Sequence, residues 1–255
     1  MVYDHLNFFY YVICYNNLMV YDNPDYCIYL CPMLLAPCYL PHALISLPLP
    51  INFGQMTFDI TPGVKGLIFD LDGTLADTMP YHYKAWQKAC SRFGISMDTA
   101  FLQEHTGAPG WQIAEDIIEH SGMKGIISPD ELMKVKLDEF FTIQHNVTPI
   151  EPVTALVQKY YGKLPMAIGT GGHREAVEKT LEIIGLRKYF DIIVTANDVT
   201  KHKPHPETFL KCAGLMNVAP SFCEVFEDGD LGIEAARRAG MIATDVRSWY
   251  HSDWR

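Results

Sequence analysis

Residues 70–78 read DLDGTLADT, and two side chains in that stretch raise the first chemical question. Asp70 and Asp72 close an apolar run, VKGLIF, and at spacing i, i+2 on an extended chain they project to the same side. Gly73 then permits a sharp turn. Paired carboxylates at a strand end suit a hard cation or proton transfer. An Asp-x-Asp-Gly run also occurs in plain turns and in calcium loops. An EF-hand, however, needs a Glu at its twelfth position, where this chain has Tyr81. That reading fails.

Three further segments carry reactive side chains: IGTGG with Thr170 and Gly171, KHKPHPE with Lys203, and VFEDGDLGIEAA with Glu227 and Asp228. Each follows or adjoins an apolar run. Val64 to Phe69, Met166 to Ile168, Asp191 to Val194, Cys223 to Phe226 and Met241 to Val246 read as buried parallel strands. Between the later ones lie helical patterns over 152–161, 173–184, 206–215 and 231–239, with Gly185 and Gly240 as stops. The alternation predicts an α/β fold, a Rossmann-like parallel sheet covered on both faces. One interval breaks the rhythm: 80–93, 98–104, 110–121 and 129–145 read as helices, broken by Gly94, Gly107, Gly122, Pro109 and Pro129. The division expected is therefore a catalytic core over 56–78 and 147–255 and an all-helical cap over 79–146. The cap would sit over the carboxyl ends of the strands, where open α/β sheets bind ligands.

With these segments in order, the chain resembles the haloacid dehalogenase superfamily. DLDGT is similar to its first motif, Thr170 to the second, Lys203 to the third and Glu227-Asp228 to the fourth. The resemblance implies a Mg2+-dependent phosphotransferase. Asp70 would be the nucleophile and Asp72 the general acid and base. The metal ligands would be Asp70, Asp72 through its carbonyl and Asp228, with Glu227 direct or adjacent. Thr170, Gly171 and Lys203 would hold the phosphoryl oxygens. The physical logic is charge cancellation, because an anionic ester repels a carboxylate until a cation and a lysine neutralise it.

The helical insertion after the first motif looks like the β-phosphoglucomutase branch, and Thr78 and His82 match its hinge positions. The mutase has a cap arginine where HTGAPGWQIAEDII places Gly110, so water becomes the favoured acceptor over a sugar phosphate. PMAIGTGGHREA, GLRKYFDIIV, KHKPHPETFL and VFEDGDLGIEAARRAGM are similar to a phosphatase subgroup acting on fructose 1-phosphate and 6-phosphogluconate. Gly229 departs from the Ser or Ala of many relatives. Candidate substrate contacts are His82, Trp111, Lys136 and Arg174, with His173 beside the last. Three have a plainer alternative: a hydrogen-bonded helix histidine for His82, core packing with Ile113 and Ile117 for Trp111, a solvated charge for Lys136. His202 and His205 flank Lys203 and are expected to shape its loop. Two rival functions stay open, a hexose-phosphate mutase and a phosphate-ester-binding protein without turnover.

Charge narrows the partners. A net −10 argues against nucleic acid, while a small phosphorylated metabolite remains compatible with a local lysine and metal. The first 55 residues form an atypical extension. They hold Asp4, Asp22 and Asp25 but no Lys or Arg, four of seven cysteines and eight of fourteen tyrosines. A secretory signal would need a basic start. The uncharged run from Tyr26 to Phe58 is punctuated by Pro32, Pro37, Pro41, Pro48 and Pro50, which argues against a membrane span. Cys27, Cys31, Cys38 and His42 lack zinc-knuckle spacing. Met56 is expected to be the natural start, with the upstream residues a disordered or non-native leader. Cys90, Cys212 and Cys223 are scattered singly, as in buried thiols of a reducing cytoplasm, the expected location. A monomer suffices for this chemistry, and the sequence leaves the oligomeric state open.

Overall fold

The computed structural model describes residues 58–105 and 108–250, with Ile13–Cys14 and Asn17–Leu18. The chain divides into two compact units, Met1–Phe53 and Gly54–Arg255. In the first, Ile13–Cys14 pairs antiparallel with Asn17–Leu18. The expected zinc-free cysteine set at Cys27, Cys31, Cys38 and His42, the start at Met56 and the Gly107 helix break all lie outside the described residues.

The second unit is built on five parallel strands: β1 (Gly66–Phe69), β2 (Met166–Gly169), β3 (Ile192–Val194), β4 (Cys223–Glu227) and β5 (Ile242–Asp245). Their spatial order is β3-β2-β1-β4-β5, which puts β1 at the centre. The period-two rule explains why β1 is apolar throughout. Leu67 and Phe69 face a core with Val153, Leu156 and Val177, while Ile68 faces the opposite core with Phe209, Cys212 and Ala235. Phe69 pairs with Phe226 of β4 and Ile168 of β2, so the three central strands end nearly level. This α/β Rossmann-like architecture matches the sequence expectation, with strand limits shifted by a residue or two.

Helices cover both faces. α5 (Glu151–Tyr160) and α6 (Arg174–Ile183) pack on one, α7 (Glu207–Met216) and α8 (Asp230–Arg238) on the other. Gly185 and Gly240 stop α6 and α8 at φ of +72° and +71°. α7 instead stops at Asn217, left-handed at φ 55°, a signal the sequence reading passed over because it looked for glycine. No helix among the described residues is long and apolar enough to cross a membrane.

Between β1 and α5 the chain forms α1 (Met79–Arg92), α2 (Thr99–Glu104), α3 (Gly110–His120) and α4 (Pro129–Ile143). Asp98 and Ser128 cap α2 and α4 by accepting from the Phe101 and Glu131 amides at 2.7 and 3.1 Å. These helices own a separate apolar cluster that includes Trp86, Leu102, Ile117 and Leu132. Two connections join them to the sheet, and they run side by side. Asp77 N–H donates to Thr148 O and Ile150 N–H to Leu75 O, both at 2.9 Å.

Candidate active site

β1, β2 and β4 deliver the reactive side chains. The chain leaves β1 at Asp70, β2 at Thr170 and β4 at Glu227-Asp228, and adjacent strand ends hold them together. Asp70, Glu227 and Asp228 are buried, and one carboxylate oxygen of each lies within 4.8 Å of the others. Lys203 reaches in from the loop before α7 and donates to Asp70 Oδ1 at 2.6 Å and Glu227 Oε2 at 2.8 Å. Its peptide bond to Pro204 is cis.

The electrostatics follow from packing several acids around one amine. Burial, then the charges of Glu227 and Asp228, push the Asp70 carboxyl well above the usual carboxylate range, although Lys203 opposes them. Burial alone would lower Lys203, but Asp70 and Glu227 outweigh it and hold the ammonium above its ordinary value. Three buried carboxylates against one lysine leave negative charge to neutralise. Hard oxygen donors at this spacing suit a divalent cation such as Mg2+.

The surrounding turn makes close approach possible. Gly73 adopts φ +83°, and a Cβ there would lie 2.3 Å from Asp228 Oδ2. Thr74, fully buried, donates to Asp228 Oδ1 at 3.0 Å. Gly232, on the first turn of α8, faces Glu227 as closely, with a Cβ 2.2 Å from its carboxylate. Sequence reasoning missed Thr74 and Gly232, because a threonine in a motif and a glycine in a helix look ordinary until the carboxylates are in place.

Asp72 has different company. Thr78 Oγ1 donates to its Oδ1 at 2.7 Å, and His82 Nε2 lies 3.2 Å from the same oxygen. Lys136 of α4 places Nζ 2.9 Å from His82 Nδ1, so Lys136 donates there and Nε2 carries the hydrogen toward Asp72. Burial pushes Asp72 up, but the charge and hydrogen bond of His82, the Thr78 hydroxyl and Lys136 hold it below its usual value. Burial and then Lys136 depress His82. Burial also brings Lys136 down to about 8. The plainer alternative for Lys136, a solvated charge, is not what the structure has: it is 7% exposed.

A cavity of about 600 Å³ opens over these groups, between the strand ends and α1, α3 and α4. Asp70, Asp72, His82, Lys136, Thr170, Gly171, Lys203, Glu227 and Asp228 all line it. Trp111 does too. Its side chain is 44% exposed instead of packed in the core, and its ring centroid lies 6.1 Å from that of His202. His173 reaches the cavity, but Arg174 beside it does not. Its guanidinium donates to Ile193 O, Asp198 and Glu178 at 2.9, 2.5 and 3.2 Å, so the expected substrate contact is corrected to a structural ion pair. Periodicity could not tell adjacent residues at a helix start apart.

Comparison with known proteins agrees with this geometry. A haloacid dehalogenase-like hydrolase family profile matches residues 67–246. The fructose-1-phosphate phosphatase YqaB of Escherichia coli is 44% identical over 183 residues, covering 71% of this chain and 96% of that protein. The β-phosphoglucomutase of Bacillus subtilis is 29% identical over 72% of this chain and 83% of its own length. A solved β-phosphoglucomutase from Clostridium difficile superposes with a TM-score of 0.65 at 28% identity, over 71% of this chain and 84% of that one. The acids at the centre of the sheet and the profile around them lead to one assignment: the chain is an enzyme of the haloacid dehalogenase-like hydrolase family.

Proposed function

We propose that the protein is a Mg2+-dependent phosphatase of small phosphorylated sugars, of the fructose 1-phosphate or 6-phosphogluconate kind. The observation that carries this reading is the convergence of Asp70, Glu227 and Asp228 around Lys203 beneath a cavity that also holds Asp72. A relative 44% identical that is named a fructose-1-phosphate phosphatase supports the sugar phosphate. A bound divalent cation, held by Asp70, Asp228, the Asp72 carbonyl and Glu227 directly or nearby, would supply charge neutralisation.

Asp70 attacks phosphorus, the bond to the sugar oxygen breaks, and an aspartyl-phosphate forms. Lys203, Thr170 and the Gly171 amide hold the phosphoryl oxygens. An arriving phosphate adds negative charge beside Asp72, raising its carboxyl and favouring the proton it gives to the leaving oxygen. Asp72 then takes a proton from the water that attacks phosphorus, which breaks the acyl-phosphate bond, releases inorganic phosphate and frees the Asp70 carboxylate. Thr78 and His82 orient its carboxylate. The helices over 79–146 act as a cap that sets the leaving group, with Trp111 facing His202 across the entrance.

A hexose-phosphate mutase is the second reading, since β-phosphoglucomutases are among the relatives. Gly110 disfavours it: it lines the cavity where the mutase has an arginine, and a glycine offers no cation to grip a second phosphate. The test is phosphate release from a panel of sugar phosphates with Mg2+. Stoichiometric release without a bisphosphate activator supports hydrolysis, whereas isomer production without release supports the mutase. Asp70→Asn that stays folded and remains active would remove the mechanism.

A further inference from the structure

The end of the described chain reaches back to the site. After β5, Val246 is fully buried, and Arg247 Nη1 lies 2.9 Å from Asp230 Oδ1, two residues beyond Asp228. Trp249 stacks on Phe58 with centroids 4.4 Å apart and meets the edge of Phe226 at 5.8 Å. Phe226 directly precedes Glu227 and Asp228. Next in line, the Tyr250 hydroxyl donates to the carbonyl oxygen of Gly73. Tyr250 is half-buried against the core that includes Leu71, Leu75 and Phe226. Residues 247–250 lie beyond the 67–246 segment that matches the family profile.

Gly73 is a demanding place to attach. Its N–H donates to Ala76 O at 2.8 Å, closing the turn after Asp72, and the turn lies against the Asp228 carboxylate. Thr74, Leu75 and Ala76 N–H also donate to Leu71 O, but the turn sits among mutually repelling buried acids and its glycine has the largest backbone entropy to lose, so a donor from outside adds restraint. A phenol anchored by ring packing supplies a donor at fixed reach.

We propose that Arg247, Trp249 and Tyr250 form a C-terminal strap over the metal-binding loops, with Tyr250 a positioning residue that acts through the Gly73 carbonyl. The strap fixes the turn between Asp72 and Asp228 and so sets cation affinity and the placement of Asp72. This rests on the metal-dependent reading above for its consequence, but its mechanical part does not.

The test is Tyr250→Phe in the full chain, which removes one hydroxyl and keeps the ring. Hydrogen exchange of the metal-free protein reads the turn directly, and Mg2+ titration by calorimetry reads the ion. A hydrogen bond of ordinary worth, about 1 kcal/mol, corresponds to a roughly fivefold change. Y250F should speed exchange in peptides covering 70–78 and weaken Mg2+ binding by about that factor. Its kcat on p-nitrophenyl phosphate should fall more than its KM rises. Tyr160→Phe is the control, since that phenol donates to Asp59 on the surface. It should leave 70–78 exchange and Mg2+ affinity unchanged. Unchanged exchange in Y250F overturns the strap, as does faster exchange with unaltered Mg2+ affinity. Equal effects from Y160F overturn it too, because they would mark general loosening. A wild-type protein that shows no Mg2+ binding at all sinks the metal-dependent reading and, with it, the strap's functional half.

Discussion

Lys136 Nζ sits 2.9 Å from His82 Nδ1, and through that ring a helix far from the sheet is joined to Asp72. The relationship couples the helical insertion to Asp72, the acid and base of the proposed mechanism. It also buries an ammonium in an apolar setting, over the faces of Phe140 and Trp86 at 5.1 and 5.5 Å.

That burial has a pH signature. The Lys136 value falls from an ordinary 10.5 to about 8, so between those limits the unfolded chain binds a proton that the folded one lacks. Stability contributed by this group therefore rises with pH from about 8 to 10.5, and the burial cost is fully present below 8. Lys136→Met should be more stable than wild type at pH 7 by on the order of 3 kcal/mol, with the difference vanishing above the unfolded value of 10.5. Its activity should fall, and with it any loss of wild-type kcat/KM centred near pH 8. Urea denaturation at both pH values and a pH–rate profile check the sign.

Gly232→Ala sets two effects against each other. An alanine in a helix ordinarily gains about 1 kcal/mol over glycine. Here its Cβ would stand 2.2 Å from the Glu227 carboxylate, which is buried and bonded to Lys203. Overpacking at about 1–3 kcal/mol wins. The variant should be destabilised, and kcat/KM should drop about a hundredfold as Glu227 and Lys203 shift. A stabilised, fully active G232A would contradict the geometry.

The fold and the central acids were legible because strands ending in Asp70, Thr170 and Glu227 are apolar runs whose carboxyl ends carry the polar residues. The rest depended on distance along the chain. Tyr250 is 177 residues from Gly73, and nothing local marks a tyrosine as a donor to a remote carbonyl. Trp111 and Arg174 sit at helix starts, where one residue decides between cavity and surface. His202 looked like a loop-shaping residue until the opposite wall brought Trp111 to it.

Metal-free protein should be the weaker fold. Asp70, Glu227 and Asp228 repel one another, and Lys203 pairs with the first two. Saturating Mg2+ at a hundred times its Kd adds about 2.7 kcal/mol, a shift of several degrees in Tm. EDTA should reverse it. Asp228→Asn should raise the metal-free Tm by relieving repulsion, while abolishing the Mg2+ shift. Thermal denaturation with and without the ion reads both, and an undiminished shift in D228N would exclude Asp228 as a ligand.

Trp111→Ala tests the entrance. The side chain is 44% exposed, so stability should change by less than about 1 kcal/mol. Loss of its face toward His202 should lower kcat/KM for sugar phosphates several-fold more than for p-nitrophenyl phosphate, which presents no sugar hydroxyls. Equal losses on both substrates would mean that Trp111 does not read the leaving group.

β1 and β4 are aligned so that Phe69 stands opposite Phe226. Sliding β4 by one position would carry its terminal acid about 3.3 Å along the strand axis and turn its side chain to the other face. On the proposed metal-dependent reading, cation affinity is thus a gauge of strand alignment. A core substitution far below the pocket that disturbs this pairing should first be felt as a change in ion binding, before the helices loosen.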